Sequence, residues 1–554
     1  MFRTLLALLL AAAGAAFPQR FTLDHPESST LVARDASGNW ITVDASDDKG
    51  IVLRKRHPGT GAALLFERHL GDSTGAELRD LIPLADGSVL VVAWTKSDKQ
   101  MTTPGVIQTK PVQTVAPQSW LARVSAEGNL VFAMYLSVQA GSVSVRAVAV
   151  ASNGDLVIAC EVPGRIDDPD LAEARGMIVL WRINGAAART VARRRLGGSD
   201  ISSVAGIAAD LHNGGGDGFL LGGTTRSDDL QVSAGAFQTA RKGGRCRGPG
   251  IFSQPFACAN GFVARLRADL SVERATYIGG DTESQMIGIG LDSGGAPVLA
   301  LNPGGLLGPP PSFPTTPGSY QPVLPLDANR SRVGIPVIAK LTPGLERLEF
   351  ATSLGGRTQD FLRPFRLDEQ GRAIVTGVTY SREFPFTGAF AAPCGPYDMT
   401  GASPPLTFIA RLSRDGTSLE SSAYFYRGEF RLAAEGGPPA PGVALTDGRH
   451  IFRAELDGAR IANRSPASSM EPTSAASRLW RLDSFSRWAA AGSRPTPKYA
   501  SMASRRRFSI AAVPKSILWF DGKWAAANAS ASSLPAKAFT PRWVRSAWHR
   551  PIPA

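Results

Sequence analysis

Seven times along the chain a short apolar run ends in a polar, usually glycine-bearing turn and then resumes. The turns are Asp35-Ala-Ser-Gly38, Asp86-Gly87, Asn153-Gly154, the stretch Asp210 to Gly218, Asp292-Ser-Gly-Gly295, Asp368-Glu-Gln-Gly371 and Asp447-Gly448. Successive Asp or Asn landmarks stand 51, 67, 57, 82, 76 and 79 residues apart, so one supersecondary unit repeats with uneven insertions. A unit of this size cannot bury its own apolar face and must stack on its neighbours. The pattern constrains architecture and names no reaction.

The unit is clearest in the fourth repeat. Val204 to Asp210 reads as a first strand, Gly218 to Thr225 as a second, Gly261 to Leu266 as a third and Val272 to Ile278 as a fourth, closed by Gly279-Gly280. All four are short, rich in β-branched or aromatic residues and bounded by turn residues. Four antiparallel strands per repeat make a propeller blade. The third strand recurs best, as Trp120-Leu-Ala-Arg-Val124, Ile178-Val-Leu-Trp-Arg-Ile183, Val337-Ile-Ala-Lys-Leu341 and Phe408-Ile-Ala-Arg-Leu412. Each carries a basic residue one place before its last apolar residue, which period two sends to the opposite face. The body of the chain is therefore all-β.

These repeats resemble those of bacterial exported proteins built from the seven-bladed β-propeller repeat, abbreviated SBBP. One repeat matches through Gly197-Gly198, Gly223-Thr-Thr-Arg-Ser227, Asp229-Leu230 and Gly235-Ala-Phe-Gln238. Another matches through Gly355-Gly356, Gly377-Val-Thr-Tyr-Ser381, Glu383-Phe-Pro385 and Gly388-Ala-Phe390. Looser copies are Phe313 to Gln321, and Thr95-Lys-Ser-Asp98 with Pro104-Gly-Val-Ile-Gln108. The resemblance covers roughly residues 30–457. It implies a seven-bladed ring of four-stranded antiparallel blades and carries over no catalytic residues.

The recurrent residues have structural reasons. Glycine after the second strand allows close packing where strands converge. Alternating Thr and Ser can satisfy loop amides. The Phe-Pro and Ala-Phe-Gln segments place an aromatic anchor under the long loop that follows, a burial worth about 3–5 kcal/mol against alanine.

The ends frame the ring. Met1-Phe-Arg3, the apolar run Leu5 to Ala13 and the small residues to Ala16 read as a secretory signal peptide over residues 1–16, too short to span a bilayer. The propeller is expected over residues 17–457, and the protein as secreted, periplasmic or at the cell surface. Lys and Arg number 60 against 47 Asp and Glu, but residues 458–554 alone hold 16 basic and 3 acidic side chains. The ring is thus neutral, which argues against capture of a nucleic acid. The tail holds six of the ten tryptophans and follows no period. It reads as the product of a shifted reading frame, as a basic arm for an anionic surface polymer, or as a small domain of its own. It is expected to be dispensable for the fold.

Four cysteines are too few for a disulfide framework. Cys246 and Cys258 share one long loop and can close a disulfide worth roughly 2–3 kcal/mol. Neither has a Cys or His at zinc spacing, so no metal site is expected. Cys160 reads as a small core hydrophobe and Cys394 has no evident partner.

Candidate chemistry is thin. Gly71-Asp-Ser-Thr-Gly75 is like a serine-protease nucleophile segment, but it falls on the repeated post-strand glycine. Asp44-Ala-Ser-Asp-Asp-Lys-Gly50 spaces oxygens as calcium loops do yet lacks the distal glutamate, so a hairpin turn is expected. Arg193-Arg-Arg195 is expected on a solvated outer edge. No glycine-rich phosphate loop opens a helix. No catalytic, cofactor-binding or metal residue is singled out, and no cofactor is expected. The expected function is a non-enzymatic binding or scaffolding propeller, monomeric, holding a glycan, peptide or surface-protein ligand on one face. The alternative is a propeller-type polysaccharide hydrolase or lyase with its site at the axial channel mouth. Repeat seven supplies only two recognisable strands, so Arg20-Phe-Thr-Leu-Asp24 is expected to pair with it and close the ring.

Overall fold

The computed structural model describes residues 20–25, 31–58, 63–112, 116–137, 143–162, 177–210, 212, 217–247, 254–304, 312–325, 334–357, 359–381, 383–385, 387, 406–425, 431–435, 443–446 and 451–455. All lie in the first of two compact units, Met1–Ser465, the second being Pro466–Ala554. The signal peptide, the basic tail, Cys394 and the Asp447-Gly448 turn fall outside the described residues.

Among the described residues there is no α-helix, and the strands form seven sheets of four or five strands and one two-stranded ribbon. The protein is an all-β propeller. Sheets one to six each run in chain order, first strand to fourth. Sheet two is Glu77–Pro83, Val89–Thr95, Gln118–Val124 and Leu130–Leu136. Sheet three is Ser144–Val150, Leu156–Val162, Met177–Ile183 and Thr190–Leu196. Sheet four is Ser202–Asp210, Gly218–Thr225, Asn260–Leu266 and Val272–Ile278. Sheet five is Ser284–Leu291, Pro297–Pro303, Val337–Leu341 and Leu348–Ser353, and sheet six is Asp360–Leu367, Ala373–Thr379, Leu406–Leu412 and Leu419–Phe425.

Sheets one and seven interlock. Sheet one begins with Leu31–Arg34, Trp40–Ser46, Gly50–Arg56 and Leu64–Gly71, and Ala434–Glu435 adds in parallel to Leu31–Arg34. Sheet seven joins Arg431–Leu432, Val443–Thr446 and Ile451–Glu455 to the N-terminal strand Arg20–His25. Phe21 stands opposite Ala454 and Leu23 opposite Phe452, antiparallel. The first and the last described strands of the chain thus pair in the same sheet.

The second strands of sheets two to six are buried on both faces and divide their side chains between two neighbours. Val89, Val91 and Ala93 pack with Ile41, Val43 and Leu53 of sheet one. Leu90 and Val92 pack with Val145, Leu156 and Ile158 of sheet three. The same sharing joins sheets three and four, four and five, and five and six. Each interface is a separate strip of core between flat faces.

The basic residue of the third strand lies between sheets and is buried, not solvated. Lys55, Arg182, Arg265 and Lys340 are all under a tenth exposed. Each pairs with the aspartate of its own blade's first turn: Lys55 with Asp35 at 2.8 Å, Arg123 with Asp86 at 2.6 Å, Arg182 with Asp155 at 2.9 Å, Lys340 with Asp292 at 2.9 Å, and Arg265 with Asp210. The base then reaches into the next sheet, where Lys55 donates to the Ala126 carbonyl at 3.3 Å, Arg182 to Ala268 at 2.8 Å and Arg265 to Pro343 at 2.6 Å. Two features read separately from the sequence, the Asp turn and the third-strand base, are therefore one staple.

The loop motif acts the same way. The Gln108, Gln238 and Gln321 side-chain carbonyls accept from the Ser137, Gly279 and Gly355 amides at 3.0, 3.2 and 3.1 Å, pinning the long loop to the end of its own blade. Thr95, Thr225 and Thr379 each accept from the amide two residues on, at 3.0, 3.1 and 3.0 Å. Phe384 is buried, with its ring 4.2 Å from that of Phe408.

Candidate channel-mouth site

In sheets two to six the first strand has a hydrogen-bonded neighbour on one side only, and the first strands of sheets three to six touch in succession. They line the axis. In sheets two to six each of these strands carries a bulge at the same place, at Arg79, Arg146, Ala205, Ile287 and Arg363-Pro364. A bulge bends the strand, strengthens its twist and re-aims a side chain. Three of the five bulges hold an arginine.

A bulge also strips a backbone amide of its ladder partner, and the previous sheet supplies a replacement. Glu161 Oε1 accepts from the Val204 amide at 2.7 Å, Thr224 Oγ1 from Met286 at 2.9 Å and Asn302 Oδ1 from Leu362 at 2.9 Å. These three hold equivalent places next to the end of a second strand. In sheet two that place is Trp94, which has no acceptor. The Val145 amide is served instead by Ser119 Oγ at 3.0 Å.

Trp94 has another task. The Arg79 guanidinium lies 3.9 Å from its ring centroid and that of Arg146 lies 4.9 Å from it. Two cations on one indole are tolerable because each has its own carboxylate: Arg79 meets Glu77 at 2.5 Å and Arg146 meets Glu161 at 2.7 Å. The Trp94 Nε1 atom is buried without a hydrogen-bond partner. All of this stands at the end of the second strands, where the long loops leave the blades.

Asp80 follows Arg79 on the same strand and is partly accessible. Burial raises its carboxyl to about 6, against the weaker pull of the Leu81 amide and the Arg79 charge. A carboxyl poised near neutrality beside fixed cations can give or take a proton.

Two other hollows are less suited to chemistry. One of about 420 Å³ opens between sheets three and four beside Arg195, Ser199, Asp229 and Gln231. Another, of about 610 Å³, lies beside Lys340, Glu349 and Arg414. Asp229, Lys340 and Arg414 are committed, since Asp229 accepts from the Ser199 amide at 2.8 Å and both Lys340 and Arg414 hold Asp292.

The segments singled out in the sequence do not meet at the mouth. Asp72 of the protease-like segment holds its own loop, accepting from Thr74 at 2.9 Å and Ser97 at 2.5 Å. The calcium-like segment is a hairpin with Ser46 opposite Gly50, and Asp44 meets Arg54 at 3.0 Å. Arg193 lies over Trp181 at 4.7 Å while Arg194 and Arg195 are exposed on the outer strand. Cys160 is fully buried and its thiol is pushed well above its usual range by burial. Cys246 and Cys258 form a disulfide. Arg79, Asp80, Trp94, Arg146 and Glu161 were not legible as a group. Aligning the first strands as the third strands align would have flagged Leu78-Arg79, Val145-Arg146 and Leu362-Arg363.

No protein-family model and no curated protein matches the sequence. Solved structures do. The quinohemoprotein alcohol dehydrogenase from Comamonas testosteroni is 10% identical, with 79% of this chain and 69% of that one covered and a TM-score of 0.34. A europium-containing methanol dehydrogenase is 10% identical, covering 77% and 78%, with a TM-score of 0.32. Quinohemoprotein alcohol dehydrogenase ADHIIG from Pseudomonas putida HK5 is 10% identical, covering 77% and 67%, with a TM-score of 0.33. The likeness concerns the fold and brings no substrate or cofactor to this chain. All three are enzymes by name, which stands against the expectation of a non-enzymatic scaffold. Its physical flaw is that it took the lack of a spaced motif for a lack of chemistry. A propeller brings residues of separate blades to one axis without any spacing in sequence. Among the described residues no helix is long and apolar enough to cross a membrane.

Proposed function

We propose that this chain is a propeller enzyme that cleaves a uronate-bearing polysaccharide by β-elimination at the mouth of its axial channel. The observation that carries the reading is Asp80, a carboxyl raised to about 6, next in the chain to Arg79, which shares the Trp94 ring with Arg146. In this reading Asp80 takes the proton α to the sugar carboxylate. Arg79 and Arg146, held by Glu77 and Glu161, offset the charge that develops there. The C–O bond at the β carbon then breaks, and water protonates the leaving alkoxide. The test is the ultraviolet absorbance of an unsaturated uronate on incubation with uronate polymers. Asp80→Asn is expected to abolish it while the fold persists. A folded wild-type chain that releases no such product from any uronate polymer overturns the reading.

We infer further that the chain belongs with the exported SBBP-repeat proteins. The shared task of Gln108, Gln238 and Gln321 supports one repeat copied along the chain. On this reading the seven sheets are seven blades of a monomeric ring over residues 17–457, residues 1–16 direct export, and the polysaccharide is met outside the cytoplasm. N-terminal sequencing of the exported protein tests it, the expected start lying just after Ala16; export with Met1 retained overturns it.

A further inference from the structure

We propose that Cys246, Cys258 and Glu283 form a redox-gated site for a thiophilic divalent cation such as zinc. The two sulfurs are joined in the structure, and a Glu283 carboxylate oxygen lies within 4.8 Å of both. Glu283 comes from elsewhere in the chain, just before the first strand of sheet five, so no spacing in the sequence announces it. Its Oε2 accepts from the Ala259 amide at 2.9 Å, which ties the carboxylate to the residue after Cys258.

The cysteines are held together by more than their own bond. They sit on or beside the ribbon Arg245–Arg247 and Pro255–Ala257, with Cys246 opposite Phe256. The Cys258 amide donates to the Gly244 carbonyl at 2.9 Å and the Gly244 amide to the Asp281 carbonyl at 2.7 Å. Phe256 lies under the Arg226 guanidinium at 4.2 Å, and Arg226 faces Glu283 at 3.8 Å. Breaking the disulfide therefore leaves both sulfurs beside the carboxylate.

Reduction by a dithiol passes two electrons and two protons to the pair, and the dithiol becomes a disulfide. In the disulfide Cys246 and Cys258 are 4% and 0% exposed, so the thiols form in a buried place. A buried thiolate pair next to a carboxylate is costly without a cation. A divalent ion that displaces the two thiol protons leaves three negative ligands and two positive charges, and the Arg226 guanidinium balances the remainder. Two sulfurs and one oxygen select zinc over magnesium or calcium and leave a fourth position open.

The test uses the full chain with Cys394→Ser, reduced with dithiothreitol, desalted without oxygen and titrated with cobalt(II). One equivalent is expected to bind with a sulfur-to-cobalt charge-transfer band that zinc bleaches, and the oxidised protein is expected to give no band. Cys258→Ser should abolish the band and Glu283→Gln should weaken binding about tenfold or more. If Glu283→Gln lowers the melting temperature of the oxidised chain, Glu283→Asp is read instead and should keep the band. A reduced chain that binds cobalt no better than the oxidised one overturns the proposal, as does cobalt affinity unchanged by Glu283→Gln.

Discussion

Arg182 and Asp155 are joined at 2.9 Å inside the ring, and the same guanidinium donates at 2.8 Å to the Ala268 carbonyl of the next sheet. The pair turns a tight turn and a third strand into a clamp between blades. Such a clamp suits flat faces that otherwise meet only through interchangeable apolar side chains. Arg182→Met should destabilise the fold by about 3–5 kcal/mol, because Asp155 is left buried and uncompensated. Chemical denaturation checks this. A loss under about 1 kcal/mol would mean that the Asn153 side-chain amide alone satisfies the carboxylate.

Asp292 carries the acid sensitivity of this arrangement. Burial works against its ionisation, but the Lys340 hydrogen bond, the Ala296 and Gly294 amides and the Lys340 charge prevail and hold its carboxyl from 3.8 down to about 2. A depressed carboxyl stabilises the fold above its unfolded value and loses that contribution as the pH falls through the folded one. The wild-type chain should therefore lose stability between about pH 4 and 2 more steeply than Asp292→Asn. Parallel curves for the two proteins in an acid titration would refute the assignment.

Asp80 should behave in the opposite sense. Its carboxyl rises from 3.8 to about 6, so its contribution is fully present below the unfolded value and is lost as the pH rises through the folded one. Asp80→Asn should thus gain in melting temperature over the wild type between about pH 4 and 7. A difference that stays constant across that range would mean that the carboxyl titrates normally and is not poised for proton transfer.

Why the blades were legible and the mouth was not follows from these residues. Turn glycines, third-strand bases and alternating apolar residues recur at short range, so Val204 to Ile278 already reads as four strands. The meaning of the base was missed, because period two says which face Arg182 takes and not that another blade covers it. The mouth depends on the bulges at Arg79 and Arg146, each one extra residue in an otherwise regular strand. It depends too on Trp94 standing where other blades keep Glu161, Thr224 and Asn302. Only superposing the blades reveals that exchange.

Gly377 tests how closely the blades are packed. A Cβ there would run into the Phe361 carbonyl and the ring of Phe408. Neither can withdraw easily, since Phe361 is on the first strand and Phe408 is fully buried. Gly377→Ala should cost about 1–3 kcal/mol, whereas Gly154→Ala, with open space around its Cβ, should cost only its turn conformation. Equal losses in thermal unfolding would show that backbone conformation and not crowding governs both sites.

The N-terminal strand should act as the latch of the ring. Arg20–His25 pairs along Ile451–Glu455, and without it that strand becomes an open edge at the place where the two ends of the chain meet. Among the described residues no covalent bond joins the first sheet to the last, so the hydrogen-bonded N-terminal strand completes sheet seven. Deleting residues 17–25 should lower the melting temperature by several degrees and raise light scattering from edge-to-edge association. A synthetic peptide spanning residues 17–26, added in trans, should restore much of the loss by supplying the missing strand. An unchanged melting temperature after the deletion would show that Ala434–Glu435, already paired with Leu31–Arg34, is closure enough.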